Sequence, residues 1–593
     1  MSRADLGLFP RPRVLEVLGL GPLADACALR TSVDPSLPAQ GFVLDVDAEG
    51  GRLAHADDAA LRYGTSAFEQ LVGAPVEGRI VAVHVEDHPD IAVRAFMLDV
   101  SRDRVPTRAT LARYVEVLSL ARGNQLQLYV EHTFAHVGHE AVWAEASPLD
   151  ADDLRWLDDR CAAAGIELVV NRNCFGHFER WLRHPAYLPL AEAPEGAEVV
   201  PGLAFPPSVL APTADNAAFA LALVREQLAC VRSRWVNIGC DETFELGRGA
   251  SAAACAARGK GAVYLEHVRR IADPLVADGY EVQVWADVLR RHPELAAGLP
   301  DAIVPVAWLY EAPAGPGAGP ELPPLLVEVL DGLGIDTDTS GGFEANVAPL
   351  AEAGIPFWVA PGTSDWCSLV GRWDNAVGNH LDAAEAARRH GVDGWLLTAW
   401  GDHGHHHPPI VTWAALLHGA AVAWGLDANR DVDVADVLDR HILGSDGLGG
   451  VVVDAGRLAA RTGRQGWNAS PLAAALFPNL PLIVTGRPDL DAVRDALAAV
   501  DDQLGRVERH RATCADADQV QAELVAALGL ARQGLWRLAG DAGPSVADRA
   551  GDLAACIDHQ REAWLGRARP GGLADSLGHL ERTLAADRAQ LDG

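Results

Sequence analysis

Asp241 and Glu242 follow a short apolar run, Trp235-Val236-Asn237-Ile238, that breaks off at Gly239-Cys240. The run reads as a buried strand, which puts two adjacent carboxyls at its C-terminal tip. In a parallel α/β barrel that end of a strand is where chemistry is sited. A carboxyl there can give or take a proton in bond cleavage, although adjacent acids are also ordinary loop and cap residues. The groups that the other strands bring to the same end decide between the two.

Those groups form an unusual set. The first predicted barrel strand carries Arg94, and the second ends in Glu131-His132. Asn173-Cys174-Phe175-Gly176-His177 follows the third, and Trp285-Ala286-Asp287 closes the fifth. Trp308-Leu309-Tyr310 closes the sixth, Thr363-Ser364-Asp365-Trp366 follows the seventh, and Trp400-Gly401-Asp402 closes the eighth. Tryptophans on four neighbouring loops, interleaved with carboxyls, suit a pyranose, whose faces are C–H and whose rim is O–H.

The elements that must position these groups can be read from apolar runs alternating with amphipathic stretches. The eight strand candidates are Val93–Val100, Gln125–Glu131, Glu167–Asn171, Trp235–Cys240, Val282–Ala286, Ile303–Trp308, Phe357–Ala360 and Gly394–Trp400. Helical segments such as Asn216–Arg232 and Val263–Ala277 lie between them. The pattern predicts an α/β fold, a (β/α)8 TIM barrel over 89–425. An open doubly wound sheet would call for a Gly-rich turn after the first strand, where Asp99-Val100-Ser101-Arg102 stands instead. Residues 1–88 read as a small α/β domain. It has strands at Gly41–Val46 and Ile80–Val85, and a helix opened by Ser66-Ala67-Phe68-Glu69 and ending near Gly73. Residues 426–593 read as a C-terminal helical domain. Leu490, Val493, Leu497, Val500, Leu504 and Val507 mark one apolar stripe and Val520, Leu524, Leu528 and Leu535 another, as packing surface for the barrel or a second subunit.

The spacing of the acids narrows the reaction. A two-carboxyl glycosidase flanks the bond with groups ~5–10 Å apart, and side chains of successive strand residues diverge. Neighbours such as Asp241 and Glu242 suit a different division of labour. Glu242 would protonate the leaving oxygen while Asp241 holds a substrate group that itself attacks. With the segments GCDETFELG (239–247), RAFMLDVSR (94–102), LQLYVEHTF (126–134), NCFGHFERWL (173–182), VWAD (284–287), PGTSDW (361–366) and LLTAWGD (396–402), the chain resembles glycoside hydrolase family 20. These are the β-N-acetylhexosaminidases, and the likeness is strongest to the intracellular, hexosaminidase-D-like branch.

The resemblance implies an exo-acting, retaining β-N-acetylhexosaminidase that uses the substrate's own acetamido group. Asp241 would orient that group and Glu242 would be the general acid/base. Arg94 would grip ring hydroxyls at the pocket floor. Trp285, Trp308 and Trp400 would line the pocket, with Trp366 a further wall and His177 matching the family's Gly-His. Asp402 stands where many members carry Glu and would bind outer hydroxyls. Ala95 departs from the usual Gly, and the tyrosine that bonds the acetamido oxygen has no clear counterpart, leaving Tyr310 as the candidate.

Two other readings compete. A retaining glycosidase could use a protein nucleophile such as Glu131 or Asp402, and a non-catalytic sugar binder could have kept the pocket. His403, His405, His406 and His407 crowd one loop, whereas zinc hydrolases draw ligands from several strands, so no metal or other cofactor is expected. The balance of 49 basic to 81 acidic residues, a net −32, disfavours nucleic acid and anionic membrane. No apolar run approaches a membrane span. The nine scattered cysteines and an N-terminus without a secretion pattern predict a cytoplasmic protein. The expected partners are a small glycoside with a terminal N-acetylhexosamine and, as protein partner, a second copy in a homodimer.

Overall fold

A computed structural model describes residues 6–592, apart from Asp103, 201–202, 297–298 and stretches within 315–338. Its centre is a closed barrel of eight parallel strands. They are Val93–Asp99, Gln125–Val130, Glu167–Arg172, Trp235–Asn237, Glu281–Trp285, Ile303–Trp308, Trp358–Ala360 and Gly394–Ala399. The eighth pairs with the first from Gly394↔Val93 to Ala399↔Leu98, which closes the ring. All eight predicted strands are present. The fourth is shorter than expected, ending at Asn237, so Asp241 and Glu242 stand on a turn beyond it.

The period of two sorts each strand's side chains. Phe96, Leu98, Leu126, Leu128, Leu168 and Val170 join the cluster under the surrounding helices. Ala95, Met97, Tyr129, Val306 and Leu396 join the cluster that fills the barrel. The interior also holds buried amides that satisfy one another. Gln127 Nε2 donates to Gln283 Oε1 at 2.8 Å, and Asn171 Nδ2 donates to Gln127 Oε1 at 2.9 Å.

The N-terminal region is a five-stranded sheet under the helix Asp58–Gly73. Two expectations fail here. Strands Val14–Leu23 and Leu29–Val33 were not foreseen. The helix begins at Asp58 rather than near Ser66, because the Asp57 side chain accepts from Ala60 N and caps it two turns earlier. Trp424, at the end of the last barrel helix Pro409–Trp424, packs into this sheet's core.

Both predicted C-terminal stripes are helices, Leu490–Arg509 and Ala517–Ala539, followed by Val546–Leu565 and Leu573–Asp592. They pack on the barrel. The Arg567 carbonyl accepts from Thr107 N and Thr110 Oγ1, and the Arg104 guanidinium lies 4.9 Å from the Trp564 ring centre. A two-stranded antiparallel sheet, Gln465–Trp467 with Ile483–Thr485, interrupts the helical region. Among the described residues no helix is long and apolar enough to cross a membrane.

Candidate active site

The turn after the fourth strand is contorted. Gly239, Cys240 and Glu242 have φ of 67°, 69° and 50°, the left-handed region that side chains disfavour. Gly239 must be glycine, because a Cβ there would come within 2.9 Å of the Asn173 Cα. Hydrogen bonds from neighbouring loops over-determine the turn. Cys240 N donates to Asn173 Oδ1 at 3.1 Å, Trp285 N to Gly239 O at 3.0 Å, and Glu242 N to Asp287 Oδ2 at 3.3 Å.

This shape sets two acids beside one imidazole. His177 Nε2 lies 3.5 Å from Asp241 Oδ2 and 3.4 Å from Glu242 Oε2, while its Nδ1 lies 3.6 Å from Glu131 Oε1. Asn173 Nδ2 donates to Asp241 Oδ1 at 2.5 Å, so both Asp241 oxygens face polar partners. The Asp241 side chain is 10% exposed and that of Glu242 33%, so Glu242 is the more open of the two.

Burial alone would lower the His177 pKa, but Asp241 and Glu242 reverse this and hold it well above the usual histidine range. Burial likewise works to raise Asp241, and the His177 charge and hydrogen bond bring it below the usual carboxylate range. Asp241 is therefore an anion held against a cation. Glu131 differs: burial pushes it up to about 8 against the opposing pull of Arg102 and His177. Asp287 is raised to about 7 by burial and then by Asp241.

A cavity of about 210 Å³ opens over these groups, below the ~300–1,000 Å³ of drug-sized pockets and in keeping with a single sugar ring. His177, Asp241, Glu242, Trp285, Trp308, Tyr310, Trp366, Trp400 and Asp402 all line it. Trp308 stacks on Tyr310 at 5.3 Å, and Tyr310 meets Trp366 edge-on at 5.0 Å. The indole N–H groups of Trp285, Trp308 and Trp400 are buried without a hydrogen-bond partner among the described residues. Buried donors of that kind are costly unless something satisfies them.

Arg94 is the exception among the predicted site residues. It stands at the start of the first strand, where its guanidinium donates to the carbonyls of Arg122, Ile91 and Ala92, to Gln40 Oε1 and to Tyr63 Oη. It is a buried clamp between barrel and N-terminal sheet, at the wrong end of the strand for the pocket. The pocket arginine is Arg102, just past the strand's C-terminal end and lining the cavity. Its Nη1 lies 3.1 Å from Asp99 Oδ2 and 3.3 Å from Glu131 Oε1, its Nε 3.5 Å from Asp402 Oδ1, and it lies over Trp400.

The C-terminal region also reaches the site, which the sequence reading did not anticipate. Trp467 and Asn468 line the cavity. Trp366 Nε1 donates to Asn468 Oδ1 at 2.9 Å, and Asn468 N donates to Glu311 Oε1 at 2.7 Å. The histidine loop has a packing role. The carbonyls of His405 and His407 accept from Arg104, and His406 stacks on Phe477 at 4.5 Å and meets Ser576 O at 3.1 Å. Among the described residues no group of three or more His, Cys, Asp or Glu is placed to hold a metal.

No family model matches the chain. Hexosaminidase D from Bos taurus is 25% identical over 202 residues, covering 32% of this chain and 55% of that protein. The chain thus spans about half the length of this curated relative. Among solved structures, the chitobiase of Flavobacterium johnsoniae (FjGH20) superposes with a TM-score of 0.56 at 14% identity, over 98% of this chain and 100% of that one. The fold is that of glycoside hydrolase family 20. A family 20 exo-β-N-acetylglucosaminidase from Vibrio harveyi, solved with N-acetylglucosamine, gives 0.55 at 14% identity over 76% and 77% of the two chains. The family 20 resemblance carried by the strand-end motifs is borne out, and at these identities the structural likeness is one of fold.

Proposed function

We propose that the chain is an exo-β-N-acetylhexosaminidase that removes a terminal β-linked GlcNAc or GalNAc from small glycosides with retention. The observation that carries this reading is the Asp241–His177–Glu242 cluster at the base of a one-ring, indole-walled cavity.

In this mechanism the acetamido oxygen of the substrate attacks the anomeric carbon. Asp241 accepts a hydrogen bond from the acetamido N–H and offsets the charge of the oxazolinium ring as it develops. Glu242, the more open acid, gives its proton to the leaving oxygen. It then takes one from the water that opens the ring. Arg102 grips ring hydroxyls, the role the resemblance implied for Arg94, and Asp402 binds the outer hydroxyls. Tyr310 bonds the acetamido oxygen, and the indoles of Trp285, Trp308, Trp366 and Trp400 wall the sugar.

A protein nucleophile fits less well. Glu131 accepts from Tyr129 Oη at 2.9 Å and is raised to about 8, while Asp402 is engaged by Arg102. The unpaired state of all nine cysteines, with Cys161, Cys174, Cys230, Cys240, Cys255 and Cys556 buried, supports a reducing, cytoplasmic setting. Purified protein should cleave aryl β-N-acetylglucosaminides or galactosaminides and release the β-anomer first. Failure on both sugars, with the protein folded, would sink the reading.

A further inference from the structure

We propose that Asp287 is a positioning residue for Glu242, fixing the acid's backbone and keeping a third carboxyl beside the catalytic pair. The inference rests on the functional reading above. Asp287 opens the short helix Asp287–Arg291 directly after the fifth strand, and it lines the cavity. Its Oδ2 accepts the Glu242 N–H at 3.3 Å, and Glu242 is held in a left-handed backbone conformation at φ 50°. Such a conformation persists in a residue with a side chain only where surrounding contacts enforce it. The Asp287 contact is one that acts on Glu242 itself, so its loss would let the acid's Cα and side chain turn away from the cavity.

The second oxygen is uncommitted. Asp287 Oδ1 is buried and finds no hydrogen-bond partner among the described residues. Arg291, on the same helix, is no close partner either. Its Nη2 is 3.9 Å from Oδ2, and its Nε donates to the Asp287 carbonyl at 3.0 Å. The titratable groups that act on the carboxyl are Asp241, Glu242 and Cys240 from the fourth-strand turn, Arg291, and Tyr264 from the helix Lys260–Ala277. Burial first, then Asp241, push the carboxyl up to about 7. When it ionises, it adds negative charge beside the catalytic pair.

The test uses Asp287→Asn and Asp287→Ala in the full chain. Asn keeps an acceptor for the Glu242 N–H and removes the charge. Its alkaline limb of kcat/KM should move once the Asp287 charge is gone, with a smaller loss of kcat than Ala shows. Ala removes the acceptor and should lower kcat by ~10²-fold with little change in KM. Amide exchange over 238–246 reads the contact without any turnover, and it should quicken in the Ala variant and hold in the Asn variant. An unmoved alkaline limb in the Asn variant overturns the charge role. Unchanged exchange in a folded Ala variant overturns the holding role, and if that variant does not fold the Asn limb decides. An inactive wild type would sink the functional reading, and exchange over 238–246 would still decide the Asp287–Glu242 contact.

Discussion

Nε of Arg102 lies 3.5 Å from Oδ1 of Asp402, across the seam where the first and eighth strands close the barrel. Arg94 lies eight residues earlier in the same segment, roughly 25 Å away along an extended chain. The two arginines should therefore fail in opposite ways. Arg102→Ala should cut kcat/KM by ~10²-fold or more while thermal unfolding moves little. Arg94→Ala orphans several carbonyls and should destabilise the chain by ~3 kcal/mol, with near-normal kinetics in the folded fraction. Melting curves and steady-state kinetics on both variants check this, and kinetic damage from Arg94→Ala at full stability would reverse the assignment.

The barrel was legible because strands buried on both faces write continuous apolar runs, and Val93 to Ala399 supplies eight of them. The pocket tryptophans were legible because each directly closes or follows such a run. Arg94 carries the motif but stands at the start of its strand, and position within a strand, which separates the two ends of a barrel, outweighs the motif. Arg102 is legible by that same rule, since it stands three residues past the strand's end at Asp99. Trp467 and Asn468 are not. They reach the site through tertiary contacts with Trp366 and Glu311 about a hundred residues or more away, which no local pattern encodes. The helix start was missed because Asp57 and Ser66 both make acceptable caps, and only packing chooses between them.

Trp467 should matter to binding more than to chemistry. Trp467→Ala removes one wall and should raise KM by ~10-fold with kcat nearly intact. Kinetics on an aryl glycoside measure the split, and an unchanged KM would remove the C-terminal segment from the site.

His177 links the site to pH-dependent stability. Its pKa is raised on folding, so the stability it adds is fully present below its unfolded value of ~6.5 and fades as pH climbs through the folded one. Asp241 is shifted down, so its share is present above ~3.9 and fades as pH falls through its folded value. Wild type should exceed His177→Gln in unfolding free energy most clearly near pH 5–6 and lose that margin towards alkaline pH. A margin that grows with pH in denaturant titrations would mean that His177 is neutral between the two acids.

Glu242→Gln should separate substrates by leaving group. General acid catalysis is worth ~10²–10⁴-fold, so glycosides with poor leaving groups should lose most of their turnover. An activated aryl glycoside, which needs less protonation, should lose much less. Equal, mild losses on both would take Glu242 out of the acid role.

The most direct measurement follows kcat/KM of the wild-type protein on one aryl β-N-acetylglucosaminide whose acetyl group carries zero to three fluorines. Each fluorine weakens the attacking oxygen, so the rate should fall steeply along the series if the substrate supplies the nucleophile. The 2-hydroxy analogue should scarcely react, and Asp241→Asn should lose ~10²-fold or more on the parent compound. A rate indifferent to fluorination, together with brisk cleavage of the 2-hydroxy analogue, would contradict substrate assistance and put a protein carboxylate at the anomeric carbon.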